Sequence, residues 1–481
     1  MTEHVGVAIV GAGIAGLGLL LRLAEAGRRD AVVLERGDGV GGTWRDNTYP
    51  GVACDIPAHL YSFSFAPRAG WSRRYAPGAE IRAYLERCAR PVQDRIRLRT
   101  AVVGAAWEAD AGVWRITTDR GVLTADALVL AVGRLVEPAM PDLPGLEAFP
   151  GPVRHTARWE PGLDVAGEAV GIVGTGASAV QLAPRLVEAG ARVTVFQRTA
   201  PWIVPREDVA YDEATRTRFA ADDAARAAHR AALFAEQEAG FDARRLGTPA
   251  LDAARARARA HLEEQVPDPA LRAVLTPDTE MGCKRILLSD EYYPAVAAGG
   301  IRVVPSALAA LDGGTAVAAS GERVDLDALV LATGFVTDRP PIASTITGTD
   351  GALAAAWAEG MRAFASVAVP GFPNLFVLDG PNAALGHNSA VHMIETQIAY
   401  VLGALDHVAG GAVLDVDPAA EQAYADEVQA RAADTVWLTC DSWYRHGASG
   451  RLALLWPGTA TAFRERNGRF DPEPYRVLAR R

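Results

Sequence analysis

Cysteine is scarce in this chain of 481 residues. Cys54, Cys88, Cys283 and Cys440 stand far apart, and no two form a C-x-x-C. That spacing disfavours a disulfide scaffold, a zinc centre and a dithiol oxidoreductase, and no metal site is expected. Basic residues are outnumbered: 48 Lys and Arg against 58 Asp and Glu give a formal net charge of -10. Binding a polyanion needs clustered cations, so the balance argues against a nucleic-acid partner. No uninterrupted apolar span reaches membrane length. The apolar run from Val5 to Leu21 imitates a secretory signal, but it lacks a basic leader and carries glycines at the positions of a nucleotide loop. A cytoplasmic protein is the resulting expectation. What remains is a globular composition, 49% hydrophobic and 22% charged, long enough for two or three domains.

Glycine, by contrast, is placed with purpose. Residues 5–10 are a short β-branched apolar run of the kind buried in a parallel sheet. Gly11, Gly13 and Gly16 follow in G-x-G-x-x-G spacing and open a helix to Ala26; a second strand, Ala31–Leu34, ends at Glu35. In such a unit the first glycine allows the tight turn, the second lets backbone approach a pyrophosphate, and the third packs helix on sheet. The helix N-terminus offers free N–H groups to phosphate, and Glu35 accepts from ribose hydroxyls. A dinucleotide site is expected there.

A second strand–helix–strand unit runs from Ala169 to Arg198. Its loop is Gly174-Thr175-Gly176-Ala177-Ser178-Ala179, with alanine at the third glycine position and Val180 and Gln181 continuing the helix. The first unit ends Leu34-Glu35-Arg36, whereas the second ends Phe196-Gln197-Arg198. The acid that would repel a 2′-phosphate is replaced by a neutral residue beside an arginine, whose fork of donors suits phosphate. NADPH is therefore expected, held at Thr175–Gln181 with Arg198 and Thr199 on its phosphate.

Several further segments carry chemistry or mark the frame. Gly41-Gly42-Thr43-Trp44 is followed by Tyr49-Pro50-Gly51 and Asp55, then by alternating aromatics from His59 to Phe65. Residues 81–90 read as a helix, and 96–103, 107–117 and 122–132 as strands. The connector from Phe149 to Glu160 lies between the two nucleotide units; taken alone, it is a loop anchored by Phe149 and Trp159. Residues 208–266 are rich in Ala, Arg and Glu and read as two or three helices, either a cap on a substrate cavity or a solvated excursion. Beyond them come Gly282-Cys283-Lys284-Arg285, Tyr292-Tyr293, strands at 301–304 and 315–318, a strand ending Thr333-Gly334, a helix from His392 to Leu405, and Ser442-Trp443-Tyr444.

The connector's pattern, F-x-G-x-x-x-H-x-x-x-W at Phe149, Gly151, His155 and Trp159, resembles the fingerprint of the Baeyer–Villiger monooxygenases, relatives of the flavin-containing monooxygenases. The G-G-x-W…Y-P-G…D run and G-C-K-R followed by Y-Y resemble further motifs of that family, in order over nearly the whole chain. Glu160 stands where the family more often has Pro or Asp, and Ala53 where it often has Arg, which puts one NADP contact in doubt. The resemblance implies FAD in the first site. Gly42, Thr43, Trp44, Arg45, Asp46, Cys54, Asp55 and Tyr61 would contact the flavin nucleotide, and Val103 the adenine. It places Lys284 on the NADP phosphate, Arg285 facing the flavin with Asp55 as counter-ion, Ser389 in a loop beside the isoalloxazine, and Trp443 over NADP and substrate.

The fold expected is α/β, two Rossmann-like dinucleotide-binding domains for FAD and NADP with a helical insertion. Residues 1–145 and 326–481 form the FAD domain, 146–205 and 281–325 the NADP domain, and 206–280 the insertion. The expected activity is NADPH- and O2-dependent Baeyer–Villiger oxidation of a ketone to an ester or lactone through a C4a-peroxyflavin stabilised by Arg285. The alternatives are an N- or S-oxygenating flavin monooxygenase, an NADPH oxidase or reductase, and a flavin-binding sensor without turnover. The substrate's identity and the oligomeric state are not legible.

Overall fold

Each glycine-loop unit founds its own sheet. In the computed structural model, which describes residues 2–160, 162 and 164–479, Glu3–Val10 pairs in parallel with Ala31–Leu34 on one side and Gly121–Leu130 on the other. That eight-stranded sheet runs Ile346–Thr347, Val102–Glu108, Val113–Thr118, Gly121–Leu130, Glu3–Val10, Ala31–Leu34, Ile96–Arg97, with Leu375–Val377 also on Gly121–Leu130. Its parallel centre is apolar on both faces: helices Ile14–Glu25 and Ala390–Ala409 pack together over one, and Trp357, Met361 and Phe372 cover the other. The second sheet runs Ile301–Val304, Arg192–Phe196, Ala169–Val173, Ala328–Leu331, Val153–His155, all in parallel. Arg480 and Arg481, the end of the basic tail, lie outside the described residues, as does Met1.

The two units repeat one backbone solution. Gly11 has φ +104° and Gly174 has φ +108°; a Cβ at either would stand 2.6 Å from a carbonyl oxygen, Ala131 in the first unit and Ala332 in the second. Ala131-Val132-Gly133 and Ala332-Thr333-Gly334 therefore each wall off one glycine turn.

Four expectations need correction. The strand at 96–103 is two strands, because the chain turns at Arg99 (φ +50°), whose N–H donates to Gly37. The 107–117 strand is broken at Gly112, which closes a turn on Glu108. The strand Leu308–Asp312, in a three-stranded antiparallel sheet with Thr315–Ala318 and Arg323–Asp325, was not anticipated. Ala328–Leu331 lies inside the second sheet, so a domain boundary at 326 falls one strand too early: a buried apolar strand carries no mark of which sheet it joins.

The insertion is helical: Glu213–Ala221, Asp223–Ala239, Pro249–Gln265 and the shorter Pro269–Leu275. Asp212, Asp222, Thr248 and Asp268 each accept from a first-turn N–H, which explains where the helices begin. It is fastened to the first domain. Glu238 accepts from Asn388 Nδ2 (3.0 Å), Ala460 N (2.8 Å) and Thr461 N (2.9 Å), and Arg230 Nη1 donates to the Ser62 carbonyl (3.0 Å).

Candidate active site

Both glycine loops open onto one cavity of about 1370 Å3, larger than the roughly 300–1,000 Å3 usual for a single small ligand. Helices Ile14–Glu25 and Ala177–Glu188 start at Gly13 and Gly176 with no side-chain cap, so their first-turn N–H groups remain available to phosphates. On the first side the wall includes Gly11, Gly13, Gly42, Thr43, Trp44 and Tyr61. Trp44 Nε1 donates to the Tyr61 hydroxyl (3.3 Å), ring edge against ring face, which fixes both aromatics at the wall. Glu35 also reaches the cavity, but three donors already hold it: Ala12 N (2.8 Å), Gly37 N (2.7 Å) and Arg45 Nη1 (2.9 Å). Arg45 in turn bonds Asp46 (2.7 Å). Since a carboxylate offers about four acceptor positions, one is left for a ribose hydroxyl. Val103 faces the same space and is half exposed.

On the second side Thr175, Gly176, Ala177, Ser178 and Gln181 line the wall. Thr175 Oγ1 donates to the Thr199 carbonyl (2.9 Å), and Lys284 Nζ to Thr199 Oγ1 (3.1 Å). Burial and then the charge of Arg198 lower the Lys284 ammonium below its ordinary range. Two cations pressed together on a cavity wall form a ready anion site. Gln197 is not in the wall: it is buried, and its Nε2 donates to the Val274 carbonyl (2.7 Å) of the insertion. Its contribution to nucleotide choice is the absence of a negative charge.

The two sides are joined at Ala53, Cys54 and Asp55. Gln181 Nε2 donates to the Ala53 carbonyl (3.0 Å) and Arg206 Nη2 to the Cys54 carbonyl (3.2 Å). Arg285 grips Asp55 side-on, Nε to Oδ2 at 2.8 Å and Nη2 to Oδ1 at 2.7 Å. Three consecutive residues of the first domain are thus each held by a side chain from outside it, Ala53 and Asp55 from the second domain and Cys54 from the first residue of the insertion. Asp55 first of all raises Arg285's pKa, so the guanidinium stays charged. Its side chain is 39% accessible and lines the cavity, and among the described residues Nη1 has no partner. The Cys54 thiol is buried, which pushes its pKa up and keeps it protonated.

Four of the residues named from sequence sit behind the wall instead. Gly16 packs where a Cβ would collide with the Gly11 carbonyl; Ala179 and Val180 are buried on the sheet side of their helix. Ser389 caps helix Ala390–Ala409, accepting from Val391 N (3.2 Å) and donating to Leu60 O (3.2 Å), while its neighbours Asn388 and Ala390 face the cavity. Asp441, Ser442 and Trp443 form another wall. The connector stands outside the cavity: Gly151 abuts Asp327, His155 Nδ1 accepts from Ala157 N (3.1 Å), and Trp159 packs on the second domain's core. It supplies the edge strand Val153–His155 beside Ala328–Leu331.

Sequence reasoning missed Arg206, the partly buried pair Arg134–Asp379, and Arg244. Arg244 passes from the insertion between Gly282 and Gly386, donating from Nη2 to the Gly386 carbonyl (3.0 Å); burial lowers its pKa to about 10. Only the small neighbours Gly282 and Gly386 hinted at such a slot. The cysteine spacing, which disfavoured a disulfide scaffold, gave no sign of a single pairing: Cys283 and Cys440, 157 residues apart, are joined by a disulfide with Cα atoms 6.2 Å apart. Sequence distance says nothing about two segments that meet only in the fold.

Two Rossmann-type units facing one cavity define a two-dinucleotide oxidoreductase. A family described as pyridine nucleotide-disulphide oxidoreductase matches residues 8–226. A Baeyer-Villiger monooxygenase of Streptomyces coelicolor is 45% identical over 99% of this chain and 93% of the relative. One of Pseudomonas aeruginosa is 39% identical over 99% and 92%. The solved structure of an oxidized steroid monooxygenase bound to NADP aligns with a TM-score of 0.85 at 30% identity, covering 99% of this chain and 100% of that one. The chain belongs to the Baeyer–Villiger monooxygenase family and is a flavin-dependent monooxygenase.

Proposed function

We propose that this enzyme, with FAD and NADPH as cofactors, inserts one oxygen atom of O2 beside a ketone carbonyl to give an ester or lactone. One observation carries the reading: a permanently charged guanidinium, Arg285, locked side-on by Asp55 through Nε and Nη2 on a side chain that lines the shared cavity.

Bound FAD, reduced by NADPH, supplies the activation of dioxygen. The chain's own residues do the rest. Arg198, Thr199 and Lys284 hold the 2′-phosphate, with Thr175 behind them. Asp55 fixes the plane of Arg285, so no reorganisation is needed when negative charge appears on the carbonyl oxygen of the attacked ketone. Arg285 surrenders no proton there, because Asp55 raises its pKa; its part is electrostatic. Trp443 and the aromatic pair Trp44–Tyr61 exclude water from the same space. Among the described residues no helix is long and apolar enough to cross a membrane, which supports a cytoplasmic setting.

The test is direct. Purified protein is given NADPH and, separately, a ketone, a sulfide and an amine, with product mass and peroxide followed together. Ester formation from the ketone is expected; sulfoxide or N-oxide alone, or peroxide alone, contradicts the proposal.

A further inference from the structure

The disulfide joins the two segments that flank the phosphate-binding cations. Cys283 immediately precedes Lys284 and is fully buried; Cys440 immediately precedes Asp441, Ser442 and Trp443 and is partly exposed. Other ties on that second segment are few. The Thr337 hydroxyl reaches the Trp443 carbonyl at 3.4 Å, and Arg445 Nη1 donates to the Cys440 carbonyl (3.1 Å). The second of these is internal to the segment, so the sulfur bridge is the firm tie between Asp441–Trp443 and the catalytic segment.

We propose that Cys283 and Cys440 form a redox-operated tether: hydrogen peroxide closes it, a dithiol opens it, and its state sets how firmly Asp441–Trp443 covers the nicotinamide nucleotide. The burial pattern orders the chemistry. Peroxide meets the partly exposed Cys440 first, its O–O bond breaks, and Cys440 sulfenic acid and one water form. The Cys283 sulfur then attacks the Cys440 sulfur; the S–S bond forms, the S–OH bond breaks, and the hydroxyl leaves as a second water with the Cys283 proton. Two thiols lose two electrons and one peroxide becomes two waters. In the reverse direction a dithiol exchanges through a mixed disulfide and departs as a cyclic disulfide. Cys54, buried, and Cys88 stay as free thiols in both states.

The nucleotide as cargo rests on the proposed function above, whereas the sulfur chemistry does not. Peroxide is also what reduced flavin yields with O2 when no substrate takes the oxygen, so idle turnover would close the cover and slow itself.

The purified holoenzyme is reduced with dithiothreitol, desalted, and treated or not with hydrogen peroxide. Thiols are then alkylated under denaturing conditions and counted by mass, and NADP+ binding is measured by calorimetry. Four thiols before and two after are expected, with alkylation lost from Cys283 and Cys440. The closed form should bind NADP+ roughly fivefold more tightly, the scale of ordering about one side chain in advance. Cys440→Ser should stay at the open-form affinity whatever the treatment, while Cys88→Ser should respond like the parent. A bridge that dithiothreitol cannot open in the native enzyme overturns the proposal, as do four thiols surviving peroxide or equal affinities in the two forms. If neither form binds NADP+, it is the nucleotide reading that fails, and the thiol count still judges the tether's chemistry.

Discussion

Arg285 and Lys284 are neighbours in sequence with opposite electrostatic surroundings. Arg285 has a carboxylate clamped to it; Lys284 hydrogen-bonds a hydroxyl and no carboxylate, and burial and the charge of Arg198 outweigh the more distant Asp278 and Asp441. A cation with a fixed counter-ion keeps its charge and direction, which suits stabilising an oxyanion. A cation pressed against another cation awaits an anion, which suits a phosphate. That contrast is tested by three substitutions. Arg285→Ala should still let NADPH bleach the flavin but lose ester formation by about a hundred- to a thousandfold, the usual cost of one preorganised contact. Arg285→Lys should recover little, since an ammonium cannot reproduce the side-on grip on Asp55. Arg198→Ala should raise KM for NADPH by roughly tenfold or more while leaving KM for NADH unchanged, for loss of a hydrogen bond to a charged group. Steady-state kinetics with both nucleotides check it; equal losses would remove Arg198 from the phosphate.

At the scale of elements, the first helix sits so close to its sheet that Gly16 has no room for a side chain, whereas the second unit accommodates Ala179. Gly16→Val should therefore yield colourless protein, its helix pushed off the pyrophosphate; a yellow variant with normal flavin content would contradict this. The insertion is held by Glu238, whose hydrogen bonds lower its pKa well below the carboxylate range despite burial. Glu238→Ala should cost about 2–3 kcal/mol, because the helix N-terminus at Ala460 and Thr461 and the Asn388 amide lose their acceptor. Thermal denaturation of the holoenzyme measures it.

These elements also mark how far a sequence can be read. Both nucleotide units were legible because glycine spacing, strand composition and the terminal residue each report a local geometric demand, and local demands are written locally. Gln197 shows the limit. Its neutrality was legible, but its direction, inward to Val274, depends on a helix 77 residues away. The grip on Ala53–Asp55, the slot for Arg244 and the pairing of Cys283 with Cys440 were hidden for the same reason: each is a meeting of segments brought together only by tertiary packing. The fingerprint was legible as a pattern but not as a role, since Phe149, Gly151 and His155 do not themselves line the cavity; His155, on the sheet edge, backs its wall, with its ring edge-on to Phe335 and a hydrogen bond to the Gly334 backbone.

Across the whole molecule, buried histidines set the response to acid. Desolvation lowers His59 to about 3 and His392 to about 4. Both are neutral in the folded state at pH values where an unfolded chain would protonate them. Their stabilising contribution is complete above about pH 6.5 and is lost as pH falls from there toward 3 to 4, with about 2 kcal/mol at stake per histidine at pH 5. His59 sits edge-on to Tyr211, Phe219 and His229, so His59→Phe keeps the packing and should flatten the acid limb of a stability–pH curve. An unchanged limb would place the acid sensitivity elsewhere.

On the proposed function, two nucleotide domains joined at Ala53–Cys54–Asp55 present one guanidinium, Arg285, to a ketone. The decisive measurement uses isotopically labelled dioxygen with NADPH and a ketone, comparing the parent enzyme with Arg285→Ala. One labelled oxygen atom in the ester from the parent, and labelled ester from the variant formed about a hundred- to a thousandfold more slowly although NADPH still bleaches its flavin, is the predicted result. Labelled ester from the variant at the parent's rate, or unlabelled ester from the parent, would contradict the account.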